Sequence, residues 1–350
     1  MAGNPILATP NGGGRLTRAL EKLDFMLSFD IYINEASRHA DVILPSEKSL
    51  SRSDFTLFYT FFMVRDYLRY GSPIFEPAEN SRTDAQIISG LVGRLLGTSA
   101  LEADERALRM LHQQLIDQGN AVAARFSFDQ VLQHLGAEEG QDRMFDLLVR
   151  TGPYGDHLGE NPDGLTVEKL KAMPHGVDYG PMRSRIEEIL YLPGGKIDFA
   201  PEPIIADIPR FERWLNGSQP EGLVLVGRRQ IRSFQWMHRF PTLNKGPHMC
   251  ILLMNPRDAE ARGVQHGQKV KVKSRTGQLV VEVELSEEMR EGVVSLPHGW
   301  GHDEPGIPGD SVAKSRPGVN YNLLADETLM DIPSCNTMLN AIPVEVECAS

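Results

Sequence analysis

The segment that most restricts the fold runs from Gln268 to Ser286. QKVKVKSRTGQLVVEVELS alternates apolar and polar side chains on two arms, with Thr276-Gly277 between them. Strict alternation is the period of a strand with one buried face, and a Gly-containing turn joins two such strands into a hairpin. The alternating charges of QKVKVKSR then form a solvated face. A lone hairpin is marginally stable, so it needs partners. LVLVGR, GVVSLP and IPVEVE read as further strands. NPRDAEARG reads as a short helix capped by Asn255, with Pro256 at its first position. Many short strands separated by Gly turns predict a closed β-barrel.

The chain opens differently. Gly12 to Gly14 lead into RLTRALEKLD, where Leu16, Ala19, Leu20 and Leu23 mark one helical face. FMLSFD reads as a buried parallel strand ending at Asp30, NEASRHA as a helical turn, and DVILP as a second strand closed by Pro45. This is the pattern of an open α/β sheet, whose ligands sit at the carboxyl ends of its strands. Residues 46–75 are aromatic and irregular and suggest a pair of strands. A helix follows, capped by Ser81 or Thr83, with Ile87, Ile88, Leu91 and Leu95 as its stripe before Gly97. Further helices are expected at about 103–118, 127–135 and 141–149. From Thr151 to Pro220 Gly and Pro abound, predicting long connections with brief elements. So long a loop is either functional or packs on something else.

The net charge of −11 argues against nucleic acid or an anionic membrane as the main partner. No run of about 18 apolar residues is present, so no membrane insertion is expected. MAGNPILATP lacks the pattern of a signal peptide. The three cysteines share no CxxC spacing and read as free thiols in a reducing compartment, hence a cytoplasmic protein. His298 and His302 are four apart, but Gly299 and Gly301 oppose the helix that would aim both at one metal. No metal site made by this chain alone is expected.

Four segments carry a family resemblance. They are Gly3-Asn4-Pro5 with Asp30 and ADVILP; Gly227-Arg228-Arg229 with Arg232, Ser233 and Trp236-Met237-His238; MNPRDAEARGVQHGQKVKVKSRTGQ; and VVSLPHGWGH through GVNYNLLADETLMD to IPVEV. Together they resemble the molybdopterin oxidoreductases, which include dimethyl sulfoxide reductases, formate dehydrogenases and nitrate reductases. The resemblance implies an α/β plus all-β chain. Residues 1–45 would end an α/β dinucleotide-binding domain, 46–220 would be a helical and irregular connecting region, and 221–350 a double-psi β-barrel closing over the cofactor. It implies molybdopterin guanine dinucleotide carrying molybdenum or tungsten. Family members usually have an upstream cysteine cluster for an iron–sulfur centre and an upstream metal ligand. Neither is in this sequence, and Ser51 stands where relatives often have an acidic residue. The expectation is therefore a C-terminal portion, inactive alone, whose partners are the N-terminal portion of the same enzyme and an electron-transfer subunit. A non-catalytic binding module or half of a split enzyme is the alternative.

The implied cofactor residues are Gly3, Asn4, Pro5, Asp30, Gly227, Arg228, Arg229, Arg232, Ser233, Trp236, His298, Asn320 and Asn322. Their chemistry suits a dinucleotide. Gly3 lets backbone amides approach a phosphate, and Asp30 can accept from a ribose hydroxyl or from guanine. The arginine forks suit phosphate or pterin oxygens, and Asn320 and Asn322 can pair with a pterin edge. Each has a plainer reading. Gly3-Asn4-Pro5 can be a turn, Asp30 a cap for NEASRHA, the arginines surface charges, Trp236 barrel packing, the asparagines turn-formers and His298 a structural histidine. NGGGR at 11–15 lacks the ending of a phosphate loop and reads as a flexible helix entry.

Overall fold

The computed structural model describes residues 3–10, 12–55, 59–60, 62–136, 140–188, 190, 192–217, 222–230, 235–307, 312–331 and 334–349. They divide into two compact units, Met1–Ile43 with Tyr191–Ser350, and Leu44–Leu190.

Proline's fixed φ starts helices, and Pro5 opens the one-turn helix α1 (Pro5–Ala8). A wide turn, Gly12–Leu16, leads into α2 (Thr17–Leu20). Strands β1 (Leu27–Phe29) and β2 (Val42–Leu44) form a sheet of their own. Asp41 fixes its entry, its carboxylate accepting from the Met26 amide at 2.7 Å. Ile6, Leu7, Leu20, Met26 and Ala36 make the local core. The run expected to be wholly buried is only partly so. Met26 is buried, whereas Phe25 is 61% exposed, because a two-stranded sheet covers little of its own surface.

In the second unit β3 (Asp54–Phe55) pairs with β5 (Tyr70–Gly71), while β4 (Arg65–Leu68) pairs with β6 (Val177–Pro181). The aromatic stretch thus contains strands, but one takes its partner from far along the chain. Helices α3 (Asp84–Leu96), α4 (Ala100–Asp117), α5 (Phe128–His134) and α6 (Gln141–Thr151) fall close to expectation. Thr83–Gln86, Ser99–Glu102 and Ser127–Gln130 are reciprocal capping boxes, which satisfy otherwise orphaned amides. The Gly/Pro-rich stretch behaves in two ways. Up to β6 it packs, with Leu165 and the residues Val167 and Leu170 of α7 (Val167–Lys171) in a core beside Phe55 and Tyr70. Further on, α8 (Glu202–Ile205) and α9 (Ile208–Asn216) bury no residue at all.

The barrel is built from β7 (Leu223–Arg228), β8 (Leu252–Met254), β9 (Lys269–Lys273), β10 (Gln278–Leu285), β11 (Val293–Pro297) and β14 (Asn340–Cys348). Between β11 and β14 lie the two-residue strands β12 (Met330–Asp331) and β13 (Asn336–Thr337), paired with each other. The barrel closes in the order β10-β8-β11-β7-β14-β9. The expected hairpin is present, with Leu279 opposite Val272 and Val281 opposite Val270. Alternation along β10 sends Leu279, Val281 and Val283 inward, to meet Leu225, Leu252, Met254, Val294 and Leu296. Burying each such side chain contributes about 1.5–3 kcal/mol against the entropy of ordering it. Asn255 caps α10 (Pro256–Glu260), as its position before proline predicts. Among the described residues no helix is long and apolar enough to cross a membrane.

Candidate functional site

β7 and β11 run parallel, so Arg228 and Pro297 end them side by side. The chain leaving β11 carries His298, whose ring lies 4.2 Å from that of Tyr321. Its Nε2 occupies the space that a Cβ on residue 227 would fill, so Gly227 is required by close approach. Burial, and then the charge of Arg229, push the His298 pKa down to about 4, so the ring is neutral at pH 7. The next turn is equally tight. Gly301 has φ +115°, faces the Asn320 backbone, and with His302 donates its amide to the Pro317 carbonyl. This brings Trp300 and His302 around His238, at ring separations of 4.2 and 4.9 Å.

Onto these loops packs the turn that follows β1. Asp30 accepts from the Tyr32 amide at 3.0 Å and from the Asn34 side chain at 2.5 Å. Asn34 in turn accepts from the amides of Ala36 and Ser37, both at 2.9 Å. These bonds shape a turn that carries Glu35 fully into the interior, at 0% exposure. There Glu35 accepts from His302 Nδ1 at 3.0 Å, from Arg239 at 3.2 Å and from the Asn4 amide. Burial raises the Glu35 pKa, but the His302 hydrogen bond and the charges of His302 and Arg239 outweigh it and hold the carboxyl below its ordinary range. Arg38 adds a second tie, donating to the Pro305 carbonyl at 2.6 Å.

Three polar atoms of this cluster are buried and have no partner among the described residues: Asn4 Oδ1, Trp300 Nε1 and His302 Nε2. Left unmade, each would cost about 1–3 kcal/mol. The set offers an acceptor, a donor, and a ring nitrogen that can act as either. Such a set fits a planar heterocycle whose edge carries N–H groups and a carbonyl. No group of three or more His, Cys, Asp or Glu among the described residues is placed to hold a metal.

The residues singled out from sequence divide accordingly. Asn4 lies in the cluster, flanked by Gly3 (φ +79°) and Pro5, while His298 packs against Gly227 and Tyr321. Asp30 shapes the Glu35 turn through its local hydrogen bonds. Asn320 and Asn322 donate to the carbonyls of Ile6 at 3.2 Å and Leu7 at 2.8 Å, latching α1 to the barrel loop. The Arg228 fork is occupied by the Ser295 and Ile251 carbonyls, both at 2.6 Å, and so acts as a strut within the barrel. Arg229 is exposed beside it. Arg232, Ser233 and the Trp236 side chain lie outside the described residues. Sequence reasoning passed over Glu35, Arg239 and Trp300, and weighed His302 only as half of a metal pair. Nothing in NEASRHA marks a glutamate as buried. The pairing emerges only when residues 267 apart in sequence meet.

The class is now defined. Residues 223–341, which hold most of the closed barrel, match the family described as Molydopterin dinucleotide binding domain. Beyond that domain the chain resembles molybdopterin oxidoreductases, among them proteins described as dimethyl sulfoxide reductases and formate dehydrogenases. It is 26% identical over 332 residues to the dimethyl sulfoxide/trimethylamine N-oxide reductase of Rhodobacter capsulatus, covering 87% of this chain and 36% of that protein. A putative formate dehydrogenase of Staphylococcus aureus strain MRSA252 is 22% identical over 283 residues, 80% of this chain and 24% of that protein. In fold the chain is similar to acetylene hydratase from Pelobacter acetylenicus, with a TM-score of 0.54 at 16% identity, over 100% of this chain and 44% of that one. The chain thus spans about a third of the length of the curated relatives it matches.

Proposed function

We propose that this chain binds molybdopterin guanine dinucleotide and forms part of the cofactor enclosure of a dimethyl sulfoxide reductase-type oxidoreductase. The observation that carries this reading is a set of three buried polar atoms unpartnered among the described residues, Asn4 Oδ1 just before α1 and Trp300 Nε1 and His302 Nε2 in the loop after β11. Asn4, His298, Trp300 and His302 would hold the pterin, and Arg229 stands where a phosphate could be met. The parallel pairings β7 with β11 and β8 with β10 support reading the barrel as the double-psi type. When bound, the cofactor's molybdenum or tungsten supplies two-electron chemistry, while the chain supplies binding, orientation and electrostatics. Turnover, substrate and any electron-transfer partner belong to the complete enzyme, whose remaining polypeptide is the partner proposed for residues 3–43.

The test is direct. The purified chain is incubated with molybdopterin guanine dinucleotide extracted from a loaded relative, passed through gel filtration, and assayed for pterin fluorescence. About one pterin unit or more per chain is expected. A folded chain that retains none, alone and when combined with the rest of the enzyme, would overturn the reading.

A further inference from the structure

Glu35 is, among the described residues of the first unit, the most completely enclosed carboxylate, and it joins three separate segments. Asn4 precedes α1, Arg239 closes the turn Gln235–Arg239, and His302 lies beyond β11. All three turn a donor toward it. An ionised carboxylate can only accept. Asn4 must therefore present its NH₂ to Glu35, which turns Oδ1 the other way. His302 must carry a proton on Nδ1, which leaves Nε2 for another partner. Those two atoms, Asn4 Oδ1 and His302 Nε2, are buried and unpartnered. An amide could otherwise flip and a ring could otherwise leave Nδ1 bare; here one buried carboxylate fixes the amide's direction and a proton on Nδ1.

We infer that Glu35 is a positioning residue: without touching the cofactor, it sets which polar edge Asn4 and His302 offer to the bound pterin. The inference rests on the pterin-binding reading above and goes beyond it. It assigns direction to the recognition, since Asn4 can only accept, and its partner on the ligand must be an N–H. Orientation of a ligating imidazole by a carboxylate on its far nitrogen follows the same physics in metal and catalytic sites. Arg239 has a separate part. Its guanidinium, 5.4 Å from the Tyr32 ring, adds to the His302 hydrogen bond in favouring the ionised Glu35 carboxyl. The turn set by Asp30 and Asn34 supplies the rigidity that such an assignment needs.

Two measurements test this. In the wild-type chain, nitrogen NMR of labelled histidine, assigned by comparison with His302→Gln, should show His302 protonated on Nδ1. A ring bare at Nδ1 and protonated at Nε2 would overturn the proposal without recourse to any Glu35 variant. Next, Glu35→Gln keeps shape and volume but can donate as well as accept. It should retain about tenfold less molybdopterin guanine dinucleotide than wild type at equal circular dichroism, the equivalent of one good hydrogen bond. Glu35→Asp, which keeps the charge on a shorter arm, should recover part of the loss. Retention by Glu35→Gln equal to wild type would overturn the proposal, as would failure of Asp to exceed Gln. If Glu35→Gln does not fold, the NMR result and the Asp variant decide. If wild type itself retains no pterin, the binding reading falls, while the protonation of His302 still decides what Glu35 does.

Discussion

The barrel and residues 3–43 belong to one compact unit but bury their apolar surface by different means. The barrel returns every strand edge to a neighbour, and of its core residues Leu225, Leu252, Val270 and Val294 are at 0% exposure. Residues 3–43 have one three-residue strand and most of a second, with a small core of five buried side chains, and they leave Leu23, Phe25, Ile31 and Ile33 exposed. Their hold on the barrel is largely polar: Glu35 to Arg239 and His302, Arg38 to Pro305, and the Asn320 and Asn322 amides to α1. Closure makes a domain sufficient to itself. An open sheet depends on contacts it does not own, and hydrogen bonds are the part of such contacts that also fixes geometry.

Side-chain truncation should expose this difference most strongly. Leu225→Ala is expected to cost about 2–5 kcal/mol in chemical denaturation, from lost transfer and cavity terms. Phe25→Ala, at a site 61% exposed, should stay within about 0.5 kcal/mol. Equal losses at the two sites would erase the distinction between the regions.

Acid should act on the barrel mouth next. An unfolded imidazole takes its proton near 6.5, whereas His298 takes its own near 4 in the fold. The unfolded chain therefore binds more protons across that window, and stability must fall as pH drops from about 6.5 to about 4. The loss attributable to His298 is about 2–3 kcal/mol, and His298→Gln should flatten the curve there. A His298→Gln variant with the wild-type slope would assign the acid sensitivity elsewhere.

Arg228 gives a smaller, sharper result. Removing the fork leaves the Ser295 and Ile251 carbonyls short of a donor, so Arg228→Ala should lose about 1–3 kcal/mol of barrel stability, with Lys rescuing only partly. Unchanged melting together with lost pterin retention would show instead that the guanidinium meets the cofactor. Smallest is Asn322→Ala, which deletes one bond to the Leu7 carbonyl, worth about 1 kcal/mol. Hydrogen exchange should quicken at α1 and remain unchanged at Val270 and Val281. Faster exchange in the barrel as well would mean that the two regions open together.

The hairpin, the helix caps and the α10 start were legible because their causes are local. Alternation in QLVVEVEL needs only a pleat, and Asn255 before Pro256 needs only the next turn. Several residues singled out from sequence also lie close together: Asn320 and Asn322 bond the α1 backbone next to Asn4, and His298 packs on Tyr321 between them. Their roles were less legible. Asn320 and Asn322 spend their amides on α1, Arg228 spends its fork on barrel carbonyls, and Asp30 shapes a turn. A donor's partner is a property of space, and the sequence names only the donor.

By itself, then, the sequence determined a barrel, its hairpin, helices between about 81 and 149, and a family resemblance spread over four segments. Tertiary structure alone decided that β4 pairs with β6, that a glycine at 227 makes room for His298, and that Glu35 meets His302 across 267 residues of chain. The physical reason is range. Periodicity and capping act over a few residues and leave a trace at that spacing. Enclosing a charge takes groups from several segments at once, and no spacing in the chain records their meeting.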